Sequence, residues 1–77
     1  MTETELKKLF AKQIRRRITA LNIDQRELAH RAGLTEVSVS RYIKGDRKPT
    51  YDIVVRLAQA LECRPSYLID FDEPFEW

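Results

Sequence analysis

Residues 25–50 read QRELAHRAGLTEVSVSRYIKGDRKPT, two short amphipathic stretches separated by Gly33 and followed by a basic turn. Asp24 precedes the first stretch with Glu27 three residues on, the spacing of a reciprocal N-terminal capping box. Ile23 and Leu28 fall at the matching hydrophobic-staple positions. Thr35 repeats the device for the second stretch, with Leu34 placed to pack on Val39. Gly33 takes a positive φ at low steric cost, so it ends the first helix and lets the second leave at a steep angle. The spacing predicts two helices joined by Gly33 and Leu34 alone, crossing near the small side chain of Ala29.

Working outward, Leu6, Leu9, Phe10, Ile14, Ile18 and Leu21 recur at three- and four-residue steps, which predicts a first helix of about 17 residues with one apolar stripe. Lys7, Lys8, Lys12, Arg15 and Arg16 fall largely off that stripe, on a solvated face or against an anionic partner. Beyond the basic loop from Lys44 to Pro49, Thr50 caps a fourth helix whose inward face is Ile53, Leu57, Ala60 and Leu61, with Val54 and Ala58 beside it. Pro65 opens a short fifth helix ending near Ile69. Arg64 stands where a Ser, Thr or Asp would cap it, so this helix is expected to start weakly. No strand-type alternation competes, and the pattern predicts an all-α globule over residues 1–77, a single domain of five helices.

The chain has 77 residues, 43% of them hydrophobic, well above the disordered range. A chain of this size buries only about 60% of its unfolded surface, so its core must be small. No apolar run approaches the roughly 20 residues that cross a bilayer, and MTETELKKLF lacks the apolar region of a secretory signal, so neither a membrane nor an exported location is expected. Cys63 is the sole cysteine and His30 the sole histidine, which excludes an intrachain disulfide and offers no metal-ligand spacing. Cys63 reads as a small buried hydrophobe and His30 as an exposed helix residue. Neither a nucleophile–base set nor a phosphate-cradling glycine loop is present, so an enzyme and a bound cofactor are not expected. Charge is unevenly placed: residues 1–48 hold twelve Lys/Arg against six Asp/Glu, residues 49–77 two against six. Such asymmetry suits a basic surface facing a polyanion and an acidic end facing away.

From Asp24 to Leu68 the chain resembles the Cro and lambda-repressor-like type of helix-turn-helix domain, the XRE family, in its motifs LAxxAGL, SVSRYIKGxRKPT and LAxALE. The resemblance implies a five-helix DNA-binding domain with the helix-turn-helix at about 25–44, the helix from Glu36 to Lys44 entering the major groove. With Val39, Tyr42 and Ile43 turned inward, Glu36, Val37, Ser38 and Arg41 are expected to face base edges. Arg41 suits guanine O6 and N7, Val37 a thymine methyl, Ser38 either type of base, and Glu36 cytosine N4. Glu36 also suits a first helical turn without DNA, and Arg41 also suits a phosphate. Ile43 stands where the family often has a polar residue, which fits either deeper burial or an apolar contact near the sugar-phosphate wall.

Phosphate contacts are expected from Gln25, at the helix start that clamps the backbone in the family, and from Lys44, Arg47, Lys48 and Thr50 around Gly45, where low bulk lets a phosphate approach. The implied function is a cytoplasmic, sequence-specific transcriptional regulator, a repressor that binds an operator as a homodimer. Tyr67, Leu68, Phe71, Phe75 and Trp77 are the expected dimer surface. An alternative is an antitoxin-like or adaptor module whose 71–77 tail, FDEPFEW, binds a partner protein.

Overall fold

A computed structural model describes residues 2–69. In chain order they form α1 (Glu3–Leu21), α2 (Gln25–Ala32), α3 (Glu36–Lys44), α4 (Tyr51–Ala60) and α5 (Pro65–Ile69), with no strand among them.

The helix starts follow side-chain capping. Asp24, Thr35 and Thr50 each hold extended backbone and accept the amide three residues on, at 2.8, 3.1 and 3.3 Å. At α2 only half of the expected box forms, because the Glu27 carboxylate pairs with Arg31 Nε at 2.8 Å one turn later. The complete box is at α1: the Thr2 hydroxyl accepts from the Glu5 amide, and the Glu5 carboxylate accepts from the Thr2 amide. Those two bonds hold the Glu5 carboxyl below its ordinary pKa.

The helix ends share a second device. Asn22, Gly33, Gly45 and Glu62 all have left-handed backbone, and at each the following amide reaches back five residues: Ile23 to Ile18, Leu34 to Ala29, Asp46 to Arg41, Cys63 to Ala58. These are Schellman closures, satisfying carbonyls that a helix end would otherwise leave unpaired. Two of the four lack glycine, and Glu62 holds a φ of 57° that L side chains rarely adopt.

One core joins all five helices: Phe10, Ile14, Leu28, Val39, Leu57, Ala58, Leu61 and Leu68 are essentially inaccessible. The α1 stripe buries deepest at Phe10 and Ile14, with Ala11 buried beside them, while Leu6 at its start is exposed. In α4 the roles expected of Ile53 and Val54 are exchanged: Val54 is buried and Ile53 only partly so. Phe10 meets Tyr42 edge-to-face, centroids 6.2 Å apart, which fixes α3 against α1 and decides which side of α3 points outward. Gly45 continues this contact, because a Cβ there would lie 3.5 Å from the Lys7 carbonyl oxygen and from the Lys8 Cα. A Cβ at that distance is an ordinary contact, so it is the left-handed backbone at φ 78° that calls for glycine here.

α5 is firmly held despite its weak start. Gln13, a buried polar residue of α1, donates from Nε2 to the Tyr67 carbonyl at 2.9 Å. Arg17 donates from Nε and Nη2 to the Leu61 carbonyl and lies 5.9 Å from the Tyr67 ring centre. Leu68 is fully buried between these elements, so it belongs to the core and not to the dimer surface expected of it. Tyr67 remains exposed, whereas Phe71, Phe75 and Trp77 lie outside the described residues. Burial pushes the thiol of half-buried Cys63 up, with nearby Arg17 opposing it.

Candidate nucleic-acid interface

Burial of Val39 and Tyr42 leaves a row of α3 side chains facing away from the core. Glu36, Val37, Ser40, Arg41 and Lys44 line an open hollow of about 450 Å³, completed by Gln25 from the start of α2 and Asp46 from the turn after α3. Val37 is the most exposed aliphatic side chain of that helix, at 63%. Arg41 and Lys44, both exposed, form no ion pair among the described residues, whereas Arg31 and Arg56 pair with carboxylates on their own helices. Glu36 and Asp46 add carboxylates, so the hollow offers donors and acceptors together and not simply a cationic patch.

Two bonds fix this arrangement. Gln25 Nε2 donates to the Glu36 carbonyl at 3.3 Å, tying the starts of α2 and α3. Arg15 Nη1 donates to the Ile43 carbonyl at 2.7 Å, so a cation that stays exposed on α1 also anchors the last turn of α3. Ile43 itself packs partly buried against the core, the deeper of its two expected placements.

The hollow thus brings together Gln25, Glu36, Val37, Arg41 and Lys44, but not Ser38, Arg47, Lys48 or Thr50. Ser38 accepts from the Thr35 hydroxyl at 3.1 Å and sits at the edge of the row. Thr50 Oγ1 accepts from the Ile53 amide. Arg47 is exposed in the loop, and Lys48 makes a loose 3.7 Å pair with Glu3. Ser40 was missed by the sequence reading, although its place four residues from both Glu36 and Lys44 puts all three on one face. Around the start of α2 a separate hollow is lined by Arg26, Glu27, His30 and Arg31, none of which lines the α3 hollow. Among the described residues no His, Cys, Asp and Glu group could hold a metal ion, and no helix is long and apolar enough to cross a membrane.

Comparison with known proteins places this geometry in a family. Residues 13–68 match the helix-turn-helix family model HTH_3, and the chain belongs to that family. Over 64 residues it is 31% identical to Repressor protein C2 of Salmonella phage P22 and 36% identical to the HTH-type transcriptional regulator DicA of Escherichia coli K12. Each match takes in 83% of this chain but only 30% and 47% of those proteins, less than half their length. Among solved structures it resembles the restriction-modification controller protein C.AhdI of Aeromonas hydrophila, with a TM-score of 0.77 and 29% identity, covering 80% of this chain and 94% of that one. It also resembles the P22 c2 repressor crystallised with a synthetic operator, with a TM-score of 0.74 and 30% identity over 82% and 96% of the two chains.

Proposed function

We propose that this protein is a sequence-specific DNA-binding transcriptional regulator that represses by occupying an operator. The observation that carries this reading is the outward row Glu36, Val37, Ser40, Arg41 and Lys44, fixed by a buried opposite face and flanked by Gln25. The relative crystallised with an operator supports it, since its chain is 30% identical and shares the fold. α3 lies in the major groove, Arg41 forks onto a guanine, Val37 packs on a thymine methyl and Glu36 accepts from a cytosine amine. Ser38 bonds a base from the edge of the row, and Ser40 stands beside it. Gln25, Lys44, Arg47, Lys48 and Thr50 hold phosphates and set the register without specifying sequence.

A single such module reads only a few base pairs, so two copies bind half-sites about 34 Å apart, as a two-fold dimer. Exposed Tyr67 is the described residue best placed at the contact. The protein acts by occupancy and not by catalysis, and its DNA target sets a cytoplasmic location. Selection of bound duplexes from a random pool tests the reading. A two-fold-related motif should be enriched, with a log–log salt slope near −0.9 per neutralised phosphate. Uniform recovery of all sequences, with affinity governed only by salt, would overturn the specific-regulator reading.

A further inference from the structure

An apolar hollow between the start of α1, the loop before α4 and the end of α5 shares no residue with the row just described. It measures about 150 Å³ and is lined by Leu6, Lys7, Phe10, Lys48, Pro49 and Ile69. Phe10 forms its buried floor, while Leu6 at 38% and Ile69 at 48% leave apolar surface open at its edge. Lys7 and Lys48 line it with their alkyl stems and carry ammonium groups at the rim. That rim already attracts carboxylates, since Glu3 lies 3.8 Å from Lys7 and 3.7 Å from Lys48.

Ile69 is both a wall of the hollow and the residue after which the sequence continues Asp70, Phe71, Asp72, Glu73. Two residues span at most about 7 Å, a reach short enough for the chain after Ile69 to turn Phe71 back to the opening. A space of about 150 Å³ accommodates a single aromatic ring. The three acids around Phe71 complement the two lysines.

We propose that the segment after Ile69 folds back on its own chain, seating Phe71 in this hollow and laying Asp70, Asp72 and Glu73 beside Lys7 and Lys48, where it competes with DNA phosphate for Lys48. The competition rests on the DNA-binding reading above; the docking does not. A carboxylate beside Lys48 does in cis what a phosphate would do in trans, so the segment lowers affinity for all sequences alike.

Amide spectra of the DNA-free protein test the docking. Phe71→Ala should move the amides of Leu6, Phe10 and Lys48, distant in sequence, by the same amount at all protein concentrations. Shifts confined to the neighbours of residue 71 would overturn the docking. Shifts that grow with concentration, together with a light-scattering dimer that Phe71→Ala dissociates, would overturn it in favour of a second copy in the hollow. For the competition, a variant with Asp70→Asn, Asp72→Asn and Glu73→Gln should bind a fixed non-operator duplex about two- to fivefold more tightly at low salt. That gain should vanish when Lys48→Ala is added. Unchanged affinity would overturn the competition, and failure of the parent protein to bind any duplex would overturn the DNA reading itself while the spectra still judge the docking.

Discussion

The side where α1 meets α5 and the side that presents α3 both use long polar side chains from helices, yet they use them in opposite ways. At α1–α5, Gln13 and Arg17 reach carbonyls 54 and 44 residues away in sequence and close the fold. Along α3, Arg41 and Lys44 form no side-chain bond among the described residues and line an open hollow. An arginine that satisfies a carbonyl is part of the structure; one that satisfies nothing is available to a ligand. Position in the fold separates the two, not residue type.

The largest effect expected from breaking this contrast is at the closed side. Leu68→Ala should lower stability by about 2–5 kcal/mol in denaturant titration, as for other fully buried leucines, without changing the mass seen by light scattering. A change in oligomeric state with stability intact would instead place Leu68 on a contact surface. Next, Gln13→Ala should cost about 1–3 kcal/mol by leaving the Tyr67 carbonyl without its donor, and hydrogen exchange should accelerate in α5 before any other helix. The open side should respond the other way: Arg41→Ala should leave stability within about 0.5 kcal/mol while weakening operator binding by about 1–3 kcal/mol and relaxing preference at one base position. Comparable losses of stability at Arg41 and Gln13 would erase the distinction between the two sides.

The smallest effect concerns the α1 start. Because the folded-state pKa of Glu5 is depressed, its contribution is present above the ordinary carboxylate value and is lost as pH falls through the folded-state value. Acid titration followed at the Thr2 and Glu5 amides should show fraying of α1 in that window, and Glu5→Gln should remove the pH dependence.

The contrast also explains what the sequence revealed. Caps are local, so Asp24, Thr35, Thr50, Gly33 and Pro65 were legible from neighbours a few residues away, as were the boundaries they set. The inward placement of Val39 and Tyr42 followed from periodicity, and with it the outward face of Arg41 and Val37. Ser40 was equally legible by spacing and was overlooked. Arg15 and Gln13 were not legible, since a basic residue off the apolar stripe reads as solvated until its distant carbonyl is known. Leu68 misled for a related reason: an apolar residue in a five-residue helix near an aromatic segment fits an interface as well as a core. Glu62 carried no signal at all, because left-handed backbone at a glutamate breaks the usual preference for glycine.

The surroundings of the two glycine turns have a genetic consequence. Any side chain at Gly33 or Gly45 meets the same dihedral cost, roughly 1–2 kcal/mol. At Gly33 its nearest neighbour is the tip of Arg56, a flexible group that a second mutation can shorten. At Gly45 the nearest neighbours are the Lys7 carbonyl oxygen and the Lys8 Cα, atoms present in every amino acid. A suppressor screen starting from a bulky residue at position 33 should therefore recover changes at Arg56, whereas one starting from position 45 has only the Ala11 methyl within reach and should return mostly changes at the site itself.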